Sequence, residues 1–126
     1  LPWAFNRKEA KTHGEAGLIV GSPLQGNVII VDDVITAGTA IRASVELIRA
    51  AGARPVGVAL ALDRQERGQG ERSAVQEVEA QYGLRCVSIL SLAELITALA
   101  SRGAHGFEPA QVDSLRAYQR QYGIAG

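Results

Sequence analysis

Apolar and polar positions come in blocks along the chain that predict strand and helix in turn. Leu1-Pro2-Trp3-Ala4-Phe5 reads as a strand at 1–5, since Pro2 is tolerated at a strand start. Residues 6–24 are polar and carry Gly14, Gly17, Gly21 and Pro23, the composition of a long loop or a mobile two-stranded flap. Residues 26–32 are a short apolar run and predict a buried strand. Ile41, Val45, Ile48 and Ala51 then recur at helical spacing, predicting a helix over 39–52 closed by Gly52. A strand over 54–62 and a polar loop over 63–70 follow. Ala74, Val75, Val78 and Tyr82 share one face of a helix predicted at 71–82 and ended by Gly83. The run 84–90 predicts a further strand, and helices follow at 92–102 and 109–122, separated by the segment Gly103–Pro109.

Apolar strands alternating with helices mark an α/β fold, a parallel sheet expected to be covered by helices on both faces. There are no internal repeats, low-complexity tracts or linkers, so residues 1–126 are read as one domain.

The strand at 26–32 bears charge only at its C-terminal end. It runs Val28-Ile29-Ile30-Val31-Asp32-Asp33-Val34-Ile35-Thr36-Ala37-Gly38-Thr39-Ala40, two acids and then a Thr/Gly loop opening into a helix. Adjacent carboxylates repel each other and add nothing to packing unless a ligand engages them. They accept hydrogen bonds well from the vicinal hydroxyls of a ribose. The loop's peptide N–H groups, its Thr hydroxyls and the helix N-terminus suit a phosphate. Open α/β sheets place their sites at this end of the strands. The alternative is a plain strand-to-helix turn whose threonines cap the helix.

Two further segments carry chemistry. Arg7, Lys8, Lys11 and His13 fall within seven residues of the early loop. Cations so placed can stabilise a leaving group on which negative charge builds, although composition alone also describes a solvated loop. In Leu62-Asp63-Arg64-Gln65-Glu66-Arg67-Gly68, Arg64 follows a strand end and suits a planar carboxylate. The alternative for Arg64 is a surface ion pair with Asp63 or Glu66.

Composition narrows the class. Hydrophobic residues make 47% and charged residues 21%, as in ordinary globular proteins. No apolar run approaches the ~18 residues of a membrane-spanning helix, and no signal peptide is visible. Thirteen basic residues balance thirteen acidic ones, so no overall positive field favours nucleic acid. The single cysteine, Cys86, lies in an apolar run and is read as a structural thiol in a reducing cytoplasm. No Cys/His spacing suggests a metal cage. His105 is expected at the surface, Trp3 in the core or an interface, and Tyr118 and Tyr122 against the final helix. The chain contains no methionine, which is read as the mark of a C-terminal portion of a longer protein.

These motifs resemble those of the type I phosphoribosyltransferases, and Asn6-Arg7-Lys8-Glu9 with Lys11, His13-Gly14-Glu15 and Gly17 is similar to the loop of the orotate phosphoribosyltransferases. The resemblance runs from residue 1 to about 123. It implies a type I phosphoribosyltransferase-like sheet flanked by helices, lacking the family's N-terminal hood and first core strand. It implies transfer of the phosphoribosyl group of 5-phosphoribosyl 1-pyrophosphate to orotate, in de novo pyrimidine synthesis. Lys11, His13 and Asp33 are then the catalytic candidates. Arg7, Lys8, Lys11, His13, Asp32, Asp33 and Val34–Ala40 (Val34, Ile35, Thr36, Ala37, Gly38, Thr39, Ala40) are the phosphoribosyl pyrophosphate contacts, and Thr36 and Arg64 the orotate contacts. Mg²⁺ is implied, carried on the substrate with no direct protein ligand, as is a homodimer whose flap 6–24 acts in the neighbouring site. The acid pair also suits a phosphoribosyltransferase for adenine, hypoxanthine or uracil, or a non-catalytic regulator sensing phosphoribosyl pyrophosphate.

Overall fold

The computed structural model describes residues 1–6, 19–36, 39–101 and 108–124. Among them nine elements follow in order: β1 (Ala4–Asn6), β2 (Ile19–Gly21), β3 (Asn27–Asp32), α1 (Thr39–Ala50), β4 (Arg54–Asp63), α2 (Ala74–Tyr82), β5 (Arg85–Ser91), α3 (Leu92–Ser101) and α4 (Pro109–Tyr122).

β1 and β2 form an antiparallel ribbon with Phe5 opposite Val20. This ribbon frames most of the segment 6–24 that is expected to form the flap, with β1 starting ahead of it and β2 ending within it. Residues 7–18 lie outside the described residues. Gly21 has φ +121°, and a Cβ there would lie 2.6 Å from the Trp3 carbonyl oxygen, so the close crossing needs glycine. Trp3 is exposed and stacks on Phe5, with ring centroids 6.2 Å apart, instead of entering the core.

The main sheet is parallel, in the order β3-β4-β5. Pro55 stands in its central strand, where a missing N–H normally breaks the ladder. The register shifts here, with Val28 opposite Pro55 but Ile29 opposite Gly57, so Val56 forms a bulge that absorbs the defect.

Helix ends follow their local chemistry. Gly52, at φ +79°, donates to the Arg49 carbonyl at 3.0 Å and Ala53 donates to Ile48 at 3.1 Å, the paired bonds of a Schellman stop. α2 begins at Ala74 and not at 71. Ser73 and Gln76 form a reciprocal capping box that sets this start, and the preceding residues belong to the loop.

The core joins Ile30, Val58 and Leu60 of the sheet to Ile41, Val45 and Ile48 of α1 and to Val75 and Val78 of α2. Ile41, Val45 and Val58 are fully buried, each contributing about 1.5–3 kcal/mol. Both helices thus lie on one face. Among the described residues nothing covers the opposite face: Val31 is 80% exposed and Ile89 87%, with Ile29 and Val87 also exposed. The expectation of a sheet covered on both faces, and of a buried strand at 26–32, is corrected here. The reason is topological. β3, β4 and β5 advance in one direction, and right-handed crossovers in one direction put every connecting helix on the same side. α3 packs against α4 in a second cluster of Leu92, Ile96 and Val112.

Candidate functional site at the C-terminal strand ends

β3 delivers Asp32 as its last residue, half-buried, and exposes Asp33 just beyond it. The chain is then fixed at three points. The Asp33 carbonyl accepts the peptide N–H groups of Ala61 and Leu62, each at 3.1 Å, which ties the loop to the end of β4. Ile35 turns into the core with 7% exposure. Beyond it, α1 begins at Thr39. Between these anchors Thr36 stays exposed.

Peptide donors relieve the repulsion between the two acids. The Asp33 N–H donates to Asp32 Oδ1 at 2.9 Å, and the Val34 N–H donates to Asp33 Oδ1 at 2.6 Å. The Val34 N–H, ahead of the hydrogen bond to Asp32, holds the Asp33 carboxyl below its ordinary 3.8, and the Arg64 charge adds a smaller effect in the same direction. Asp33 is therefore an anion at neutral pH, acceptor-only, as hydroxyl recognition requires.

Arg64 begins the loop after β4. Its Nε lies 3.3 Å from Glu66 Oε1, so the ion pair foreseen as the alternative is present. Gln65 takes the left-handed conformation at φ +53° and its side-chain oxygen accepts the Ala93 N–H at 3.1 Å. Tyr118, on α4, donates its hydroxyl to the same Glu66 oxygen. That bond, ahead of burial, raises the Tyr118 pKa above 10.0. From the sequence alone, Tyr118 is expected only to pack the final helix and Glu66 only to pair with Arg64. Their partnership spans 52 positions, and no local pattern announces it.

The structure thus brings together Asp32, Asp33, Val34, Ile35, Thr36 and Arg64 at one end of the sheet. Ala40 is exposed in the first turn of α1. Arg7, Lys8, Lys11, His13, Ala37, Gly38, the Thr39 side chain and His105 lie outside the described residues. Among the described residues no group of three or more His, Cys, Asp or Glu could hold a metal ion, and no helix is long and apolar enough to cross a membrane.

The phosphoribosyl transferase domain family matches residues 7–84, more than half of the chain and the span that holds β3, its loop and Arg64. This chain belongs to that family. Among similar phosphoribosyltransferases, the orotate phosphoribosyltransferase of Thioalkalivibrio sulfidiphilus is 62% identical over 124 residues, covering 98% of this chain and 57% of its own length. That of Chromobacterium violaceum is 59% identical, over 98% and 56%. The solved orotate phosphoribosyltransferase of Francisella tularensis superposes with a TM-score of 0.74 at 26% identity, over 98% of this chain and 56% of that one. The Mycobacterium tuberculosis orotate phosphoribosyltransferase, solved in complex with 5-phospho-α-D-ribosyl 1-diphosphate, superposes with a TM-score of 0.59 at 33% identity, over 75% and 50%. The chain spans about half the length of these relatives. The parallel three-stranded sheet with flanking helices is the type I phosphoribosyltransferase fold.

Proposed function

We propose that the complete protein carrying this chain is an orotate phosphoribosyltransferase, a pentosyltransferase acting in pyrimidine synthesis. The observation that carries this reading is the joint placement of an acid pair held by peptide N–H donors and Arg64 at adjacent strand ends, in a chain about 60% identical to proteins of that name. A neutral base gives no reason for a carboxylate-binding arginine, which favours orotate over adenine, hypoxanthine or uracil.

In this reading residues 1–126 form the catalytic core, with a flap at 6–24 and the phosphoribosyl pyrophosphate motif at 28–40. Asp32 and Asp33 accept the ribose hydroxyls and steady positive charge developing at the anomeric carbon. Thr36, Thr39 and the peptide groups of 36–40 hold the 5-phosphate at the start of α1. Arg64, with Thr36, orients orotate through its carboxylate. The ring nitrogen of orotate forms the new bond to the anomeric carbon as the bond to pyrophosphate breaks. The proton of that nitrogen leaves to the pyrophosphate or to water. Arg7, Lys8, Lys11 and His13 neutralise the departing pyrophosphate, acting across a homodimer in the neighbouring site. Two adjacent hard carboxylates fit Mg²⁺ held chiefly by substrate oxygens and are too few for a protein cage. The ion, when bound, neutralises charge on the leaving group. The place of work in this reading is the cytoplasm.

The test is loss of orotate absorbance by the complete protein with phosphoribosyl pyrophosphate and Mg²⁺, with adenine, hypoxanthine and uracil as rival acceptors. Orotate-specific turnover is the expected result. Turnover with a rival base, or binding of phosphoribosyl pyrophosphate with no base consumed, overturns it.

A further inference from the structure

The loop that carries Arg64 is fastened by the far end of the chain. The Arg67 N–H donates to the Tyr122 carbonyl at 2.8 Å, and its Nη2 donates to the Gln121 carbonyl at 2.6 Å. The Ile124 N–H donates to the Gln65 carbonyl at 3.0 Å, and Glu66 bridges to Gly123. Inside this clamp Glu66 Oε1 takes the Tyr118 hydroxyl and faces Arg64 Nε. That Nε is closed off from solvent with no aligned acceptor, while the Arg64 side chain as a whole keeps 28% exposure. Among the described residues its two terminal nitrogens make no ion pair or hydrogen bond.

This arrangement has a chemical logic. A guanidinium offers paired donors on more than one edge, and a nearby carboxylate free to rotate takes such an edge for itself. Glu66 is not free to do so. The Tyr118 hydroxyl occupies the oxygen nearest Arg64 and draws charge from it, which fixes the carboxylate and weakens its hold. The terminal pair of nitrogens is then left for another carboxylate.

We propose that Glu66 and Tyr118 are positioning residues, which brace Arg64 from the side so that its terminal nitrogens meet the carboxylate of the acceptor base. The proposal rests on the assignment of Arg64 to the acceptor made above. It gives the C-terminal helix, remote in sequence, a part in acceptor specificity.

The experiment uses the complete protein with Tyr118→Phe, Glu66→Gln, Arg64→Ala and the Arg64→Ala/Tyr118→Phe pair. Initial rates are taken with orotate varied at saturating phosphoribosyl pyrophosphate, and the reverse. Tyr118→Phe and Glu66→Gln should each raise the KM for orotate about three- to tenfold and leave that for phosphoribosyl pyrophosphate within about twofold. Arg64→Ala should raise the orotate KM by about tenfold or more, and adding Tyr118→Phe to it should change nothing further. If Arg64→Ala moves the orotate KM but the other two leave it unchanged, or shift both KM values alike, the positioning role is overturned and the assignment of Arg64 stands. If Arg64→Ala itself leaves the orotate KM unchanged, the underlying assignment fails and the proposal with it.

Discussion

Asp33 and Cys86 show how single residues are set by their neighbours in opposite directions. Asp33 is fully open to water, yet one peptide N–H lowers its pKa, because a donor aimed at a carboxylate favours the charged form. Cys86 packs against the main core, and burial, with smaller contributions from Glu79 and Asp63, pushes its thiol from 9.0 up to about 11. The folded chain therefore favours the neutral thiol. Any stability from this preference is complete below pH 9.0 and fades as pH rises toward about 11, where the folded form also ionises. The thiolate is the reactive form, so alkylation of the Cys86 peptide by iodoacetamide, followed by mass spectrometry in the native complete protein, should rise with a midpoint near 11. A midpoint at 9.0, the ordinary value, defeats this account.

At the scale of elements, the loop over 64–72 and the start of α2 form one unit. The Glu77 carboxylate accepts the Gln69 N–H at 2.8 Å and the Gly70 N–H at 3.1 Å, and a Cβ on Gly68 would collide with it. Gly68→Ala must therefore push the carboxylate away and loosen both bonds. Ser73, 3% exposed, caps α2 through its hydroxyl. Ser73→Ala should cost about 1 kcal/mol and Gly68→Ala about 1–2 kcal/mol, each lowering the Tm of the complete protein by about 3 °C or more. An unchanged Tm for both, measured by calorimetry, overturns this reading of the loop. Such unit-level ties mark the limit of what the sequence makes legible. Gly52 and Gly83 announce helix ends because the left-handed conformation is local and nearly theirs alone. The acid pair announces itself because charge at a strand end has no packing use. The bond from Tyr118 to Glu66, the fastening of the Arg64 loop by residues 121–124 and the bulge at Val56 are set by distant partners, and no period or motif encodes them.

On the scale of the whole molecule, the open face of the sheet is the dominant fact. Ile29 and Val31 of β3, with Val87 and Ile89 of β5, stand on the side away from α1 and α2. β3 is also an edge of the sheet, so its outer N–H and C=O groups have no strand partner among the described residues. An apolar face beside an open edge is a surface that water tolerates poorly and that other chains pair with readily. The 126-residue chain expressed by itself should therefore associate at micromolar concentrations and bind a hydrophobic dye such as ANS. Sedimentation velocity is the direct measurement. Val31→Lys with Ile89→Lys places charges on both edge strands of that face without touching the Ile30, Val58 and Leu60 face that holds the helices. The double variant should keep its helical circular dichroism and shift toward monomer, with weaker dye binding. Association that persists with the dichroism intact would show that the open face does not drive it. A wild-type chain that sediments as a monomer and binds no dye would mean that the exposed apolar face is not the liability its composition predicts.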